Sequence, residues 1–325
     1  MKKAGYFLLM ISFFFCVGLF LNPLSFAEPI KLKAVSFIPK TNALSIMAVE
    51  WMNRVNKEFK DKISVNYLGG PEITAPVEQI QALKNGIFDI NYNVTSYYSP
   101  LAPELNAFQL SKLKPWEERK SGFYDYMVDR HKKIGAFYLG RWIHGPFYIW
   151  VKTPVSNIGE LKKLKLRTAP MYTYFFGKLG VGSVSVKPTD VYTALERGMV
   201  EGFGWPLLGA REDGWTENCK YLIDHPFYGM DATIIFNLDV WNKIPKALQD
   251  ELASFTAKYE RDMVAYFEKE YEKERELLRK SGVKFIKFSE PEAKKYVQMA
   301  YDAYWEDVAK KVPNLVADLK KLSGN

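Results

Sequence analysis

A segment near residue 80 returns near residue 190 with its landmarks in place. Pro76 is followed by Ala82-Leu83, Gly86 and Asp89; Pro188, Ala194-Leu195, Gly198 and Glu201 repeat the same spacing. Each copy reads as a helix opened by proline near its first turn, stopped by glycine and followed at once by a strand, Phe88 to Val94 in one and Met199 to Phe203 in the other. Helix-glycine-strand joints occur in any α/β protein, but this many matched features at one offset point to a repeated lobe. The chain is expected to form two similar α/β lobes with a cleft between them.

The remaining segments fit that frame. Ile30 to Phe37 reads as a strand, Asn42 to Phe59 as a helix with Ile46, Val49, Met52 and Val55 near helical spacing, and Ile63 to Leu68 as a second strand. Strand, helix, strand is the α/β order. Phe137 to Val151 is a strand-like run crossing Gly145-Pro146, and Asp231 to Leu238 should return the chain to the first lobe. Two crossings make a hinge. Pro245 opens a helical stretch to about Lys280, with Leu248, Leu252, Phe255, Tyr259, Met263 and Tyr266 along one face. At ~1.5 Å per residue it reaches about 50 Å, enough to span both lobes. A strand from Val283 to Phe288 and a helix from Pro291 close the chain. The expected division is 28–148 with 238–280 as the first lobe and 149–237 with 281–325 as the second.

Composition narrows the function classes. A chain of 325 residues with 48% hydrophobic and 25% charged residues is folded and globular. Its 15% of aromatic residues suits concave surfaces that grip small organic molecules. The net charge of +8 comes from bases spread along the chain and nearly matched by 37 acids, which argues against nucleic-acid binding. Lys2-Lys3, the apolar stretch Gly5 to Leu21 and the small residues before Glu28 read as a secretory signal with cleavage after Ala27, favoured over an uncleaved membrane anchor or a lipoprotein at Cys16, so residues 1–27 are expected to leave and the mature protein to be periplasmic. Cys16 leaves with them. The remaining Cys219 cannot make an internal disulfide, and His131, His144 and His225 show no metal-site spacing. No cofactor or metal is expected, and the protein is expected to be a monomer.

The motifs of catalysis are missing. There is no GxSxG elbow, no GxxxxGK[ST] loop and no dinucleotide GxGxxG. Gly202-Phe-Gly204-Trp-Pro206 comes nearest the last, but Trp205 and Pro206 crowd the place of a pyrophosphate. Cys219 and His225 read as packing and surface residues. A binding site asks for less. Arg167 ends the segment Leu161-Lys-Lys-Leu164-Lys-Leu166-Arg167, just before Pro170 and the aromatic run that holds Met171 and Tyr172. Open α/β folds bind ligands beyond the carboxyl ends of strands, where a guanidinium can hold a carboxylate with two parallel hydrogen bonds. Trp205 stands at the end of the second repeat's strand, and Ile38 to Asn42 and Asn93 to Tyr98 occupy the matching ends in the first lobe, where Phe37, Asn93, Tyr97 and Tyr98 are candidates to face the cleft.

Together these features resemble the solute-binding proteins of tripartite ATP-independent periplasmic (TRAP) transporters, the DctP family. The likeness runs through Gly69-Gly70, Glu78 to Asp89, Leu164 to Pro170, Asp190 to Gly202, Asn237 to Leu248 and the long helix. It implies a two-lobed receptor that closes on an organic acid and hands it to the transporter's membrane subunits. In the family the Arg matching Arg167 pairs with the ligand carboxylate, and the position of Trp205 lines the pocket. Sialic-acid-type members carry a second Arg near the first hinge strand. Here Gly145 to Phe147 lacks one, and Arg141 lies a few residues earlier. Metal-dependent relatives place a Glu after the Trp, where this chain has Pro206. One Arg among Trp142, Phe147, Tyr172, Trp205 and Tyr228 favours a monocarboxylate with an apolar or aromatic body. The alternatives are an ABC-type receptor, which should lack the long interlobe helix, and a periplasmic hydrolase, which should depend on Cys219 or His225.

Overall fold

Each copy of the repeated unit contributes to its own sheet in the computed structural model, which describes residues 28–325. The expected export signal, 1–27, lies outside the described residues. The first sheet holds β1 (Ile30–Ser36), β2 (Ile63–Gly69), β3 (Ile90–Asn93) and β4 (Ala136–Arg141). The second draws on β5 (Pro146–Val151), β6 (Lys165–Thr168), β7 (Gly182–Ser185), β8 (Gly202–Trp205) and β9 (Tyr221–Gly229). Strand β10 (Thr233–Asn237) returns to the first sheet, and β11 (Lys284–Ile286) joins the edge of the second.

The strand orders are β2-β1-β3-β10-β4 and, from the opposite edge, β7-β6-β8-β5-β9-β11. In both, a strand with parallel neighbours on each side (β1, β6) is followed by a parallel strand (β3, β8) and then an antiparallel one (β10, β5). The duplication seen in the sequence is thus a duplication of topology. The repeated helices are short, Gln79–Lys84 and Val191–Glu196, and start later than the prolines suggest. Pro76 sits in the turn before its helix, where its carbonyl accepts from Asn93 Nδ2, and Pro188 opens a 3-10 turn. Gly86 and Gly198 do end the units, at φ 71° and 68°, a left-handed conformation that side chains resist.

The run from Phe137 to Val151 is two strands in two sheets. The break at 142–145 carries the chain across the lobes, so β5 belongs wholly to the second sheet from Pro146, and the boundary expected after residue 148 moves back. Strand β10 pairs with β3 and β4 in the first sheet, where the run Asp231 to Leu238 was expected to return the chain. The C-terminus also comes back. Ser323 O accepts from Lys112 N at 3.0 Å and Asn325 Nδ2 donates to Leu110 O at 2.7 Å, beside the first sheet's helices.

The helix Lys246–Lys280 is the longest element, 35 residues. Its first half packs on the first lobe, where Trp51 Nε1 donates to Thr256 Oγ1 at 3.0 Å and the Tyr259 hydroxyl donates to Met47 O. Its middle meets the hinge, with Glu260 Oε1 accepting from Arg141 N at 2.9 Å and the Tyr271 hydroxyl donating to His144 O at 2.7 Å. Its last turns pair with the second lobe, Glu274 with Arg211 at 2.8 Å and Arg275 with Asp224 at 2.9 Å. This is the interlobe helix that the sequence predicted. Among the described residues no helix is long and apolar enough to cross a membrane.

Candidate functional site

The two lobes meet over a cavity of about 30 Å³, where one water needs ~10–15 Å³. Its walls come from the carboxyl ends of equivalent strands, as the open-sheet rule requires. Phe37 follows β1, and Val94 and Tyr97 follow β3. From the other lobe come Arg167 in β6, Ala169, Met171 and Tyr172 just after it, and Trp205 and Pro206 at the end of β8. The crossings close the back with Ile143, Phe147, Met230 and Ala232.

Arg167 is the one charged side chain on these walls, and it is 1% exposed. Its Nε donates to Val186 O at 2.9 Å and its Nη1 to Gly204 O at 3.4 Å. The guanidinium lies 5.6 Å from the Trp205 ring. Among the described residues no hydrogen bond occupies Nη2 and no carboxylate pairs with the group. Burial pulls its pKa down, which is the mark of a cation without a counter-charge. An isolated buried charge costs several kcal/mol unless an anion answers it. Trp205 is fixed for its part as a wall: its Nε1 donates to Leu208 O at 3.0 Å and its ring meets Trp215 edge-on at 4.8 Å.

Of the residues singled out in the sequence, Phe37, Tyr97, Phe147, Arg167, Met171, Tyr172 and Trp205 come together on the cavity. Arg141, Trp142 and Asn93 do not. Arg141 forms a buried ion pair with Glu118 and lies over the Phe108 ring at 4.9 Å, so its charge is already answered inside the first lobe. Trp142 packs behind the wall, 5.9 Å from the Phe37 ring and 6.1 Å from that of Tyr92. Asn93 spends its amide on Asn91 Oδ1 at 3.0 Å and Pro76 O at 3.2 Å, and its Oδ1 accepts from Val94 N at 2.8 Å. Tyr98 is tied to His131 and Thr233, and Tyr228 donates to Ala300 O at 2.7 Å, both away from the cavity. Cys219 and His225 make no nucleophile-base pair. Burial pushes the Cys219 thiol up to about 12, and His225 Nε2 accepts from Phe288 N at 2.8 Å.

Pattern reading missed the small and aliphatic walls, Leu44, Ile143, Ala169, Met230 and Ala232 among them. The hinge crossings were the available signal, since a cleft must be closed at the back by the segments that cross it.

A second missed feature joins the lobes at the mouth of the cleft. Asn42 Nδ2 donates to Asp213 Oδ2 at 3.0 Å, while Asn42 Oδ1 caps the turn that begins at Ala43. Asp213 has no cation among the described residues; burial, and then the neighbouring Glu212 charge, push its carboxyl up to about 6. A carboxyl raised above its unfolded value favours the folded, closed form below about pH 4, and that contribution is lost as pH rises through 6. Asp213→Asn should thus melt about one to two degrees higher than the wild type at pH 7.5, the group being only half-buried, with the gain fading toward pH 4. Calorimetry across that range checks it; a gain independent of pH would detach the effect from this carboxyl.

The family model for DctP, described as bacterial extracellular solute-binding protein, family 7, matches residues 35–311. The chain belongs to this family. Among solved structures, the DctP chain is similar to a TRAP periplasmic solute-binding protein from Desulfovibrio salexigens with bound orotic acid, with a TM-score of 0.80 at 16% identity, covering 90% of this chain and 97% of that one. By sequence it is 19% identical over 314 residues to a solute-binding protein of Roseobacter denitrificans, 94% of this chain and 95% of that one. It is 22% identical over 166 residues to a monocarboxylate 2-oxoacid-binding periplasmic protein of Nostoc, half of this chain. The matches to that protein and to one from Sinorhizobium fredii span 45% and 35% of those proteins' own lengths.

Proposed function

We propose that this DctP-family protein is an exported periplasmic receptor, working as a monomer, that closes on an organic acid anion and delivers it to the membrane subunits of a TRAP transporter. The observation that carries the reading is the buried Arg167 guanidinium, facing an interlobe cavity with no carboxylate of its own. A monocarboxylate with an apolar body fits best, because one cation neutralises one carboxylate and Phe37, Phe147 and Trp205 offer only apolar surface to the rest. The ligands of relatives support the organic-acid anion: orotic acid in the Desulfovibrio protein, L-gulonate in one from Haemophilus influenzae and 2-oxoacids in the Nostoc protein. A hydrolytic role has no support in the arrangement of Cys219 and His225, and the receptor reading assigns no catalysis.

A thermal-shift screen of organic acids, each beside its neutral amide, tests the proposal. Acids should raise the melting temperature and amides should not, since an amide leaves the buried cation unpaired. Stabilisation by neutral compounds alone would refute it.

A further inference from the structure

We propose that Tyr97 sets the length of acid this receptor accepts, its ring standing as a partition between the Arg167 cavity and a larger chamber at the seam of the two lobes; this rests on the organic-acid reading of that cavity. The chamber has a volume of about 640 Å³, and Tyr97 is the one described residue that lines both spaces. Its other walls also come from both lobes, Val77, Pro100 and Pro103 from the first and Pro170, Tyr174 and Tyr304 from the second. The inner cavity, at about 30 Å³, has room for ~2–3 waters. A carboxylate with one further carbon fills it. A longer tail needs the space that lies beyond Tyr97.

The partition is braced from several sides. Tyr97 belongs to the 3-10 turn Thr95–Tyr97, whose start is pinned where Thr95 N donates to Asp231 Oδ2 at 2.9 Å. Just past the turn, the Tyr98 hydroxyl bonds His131 Nε2 at 3.0 Å and Thr233 Oγ1 at 3.1 Å. Across the seam the turn packs on Pro170–Tyr172 of the second lobe, where Pro170 lines the chamber and Met171 and Tyr172 line the cavity. The Tyr97 ring lies 5.9 Å from that of Phe37, another wall of the cavity. Burial pushes its phenol up and the Arg167 charge pulls against it, so the ring stands within reach of the cation's field. Its hydroxyl makes no hydrogen bond among the described residues, which leaves bulk as what this side chain brings to the seam.

The space beyond suits an uncharged tail. Lys311, the one charged side chain on the chamber's walls among the described residues, already donates to Asp307 Oδ2 at 2.8 Å and to the Tyr174 hydroxyl at 2.8 Å. Prolines, Val77 and tyrosine carbon make up much of the rest. Each methylene moved from water to apolar surface is worth about fourfold in affinity. A chamber able to hold a long acid therefore adjoins a cation able to bind one, and a single ring keeps them apart.

Titration calorimetry with acetate and hexanoate on the wild type, Tyr97→Ala and Tyr97→Phe tests this, beside melting curves of the empty proteins. The wild type should bind acetate at least about tenfold tighter than hexanoate, whose tail has nowhere to go. Tyr97→Ala should bind hexanoate at least about tenfold tighter than the wild type does, because burying ~2 methylenes in the chamber supplies that much, while acetate moves by less than about threefold. Tyr97→Phe keeps the ring and should keep the wild-type order. Should the alanine variant not fold, Tyr97→Leu removes enough of the ring to show the same gain. Wild-type affinity for hexanoate equal to or above that for acetate overturns the proposal without any variant. So does a shortened side chain that gains nothing for hexanoate, or a phenylalanine variant that gains as the alanine one does. If neither acid binds any of these proteins while other acids do, this inference falls and the organic-acid reading stands. If no acid binds at all, the reading itself falls and takes the inference with it.

Discussion

Arg167→Met is expected to weaken acid binding at least about a hundredfold while the empty protein melts close to the wild type. Removing one member of a buried, hydrogen-bonded charge pair costs ~2–5 kcal/mol, because the other charge is left desolvated and alone; a hundredfold corresponds to ~2.7 kcal/mol. Stability without solute should move little, since two effects oppose each other. The variant no longer buries an unpaired cation, but Val186 O and Gly204 O lose the donors that now hold them, at ~1–3 kcal/mol each if they stay dry. Arg167→Lys separates charge from geometry. An ammonium keeps the charge yet cannot fork toward a carboxylate while also reaching both carbonyls, so it should recover only part of the affinity. Calorimetric titration of the three proteins with an acid found in the screen, beside their melting curves, reads both quantities. Wild-type affinity in the methionine variant would show that the guanidinium does not hold the solute.

Why the sequence could place Arg167 at the cavity and could not place Arg141 follows from where their neighbours lie along the chain. Arg167 stands between an amphipathic strand and a proline, so its place at a strand's carboxyl end could be read locally. Arg141 has the same local look, but Glu118, 23 residues earlier, and Glu260, 119 residues later, surround it in space. A charge is free or answered only in three dimensions. The Asn42–Asp213 contact spans 171 residues, and nothing in the sequence pairs those two side chains. The same reasoning explains the sheets. Periodicity marked Phe137 to Val151 and Asp231 to Leu238 as strands, whereas their pairing depends on which edge is free once the parallel units have formed. The long helix was legible because a 35-residue amphipathic run has few other uses in a chain of two lobes. The cavity's aliphatic walls were not, because Leu44 or Met230 in a cavity looks, in sequence, like the same residue in a core.

The hinge carries the other large effect. Gly145→Ala is expected to lower the melting temperature by about ten degrees and to impair solute binding together with it. Gly145 has φ 137°, outside the range an alanine tolerates, at a strain of ~1–3 kcal/mol. A methyl group there would also overlap the Tyr271 phenol. That ring is not free to yield, for its hydroxyl bonds His144 O at 2.7 Å and it stacks on Phe267 at 6.0 Å within the long helix. Gly145 O in turn accepts from Met230 N at 2.8 Å, which ties the first crossing to the second. Strain and overpacking together come to ~3–5 kcal/mol, and each kcal/mol moves a protein of this size by ~2–4 °C. Solute affinity should fall too, because the two crossings and the long helix set the angle at which Arg167 meets the first lobe. Tyr271→Ala distinguishes this mechanism from general damage. Alone it leaves a void and destabilises, but in the double variant it removes the overlap, so the two losses should be clearly less than additive. A Gly145→Ala protein that melts within a degree of the wild type, or a double variant whose losses simply add, would mean that the phenol does not lock the hinge.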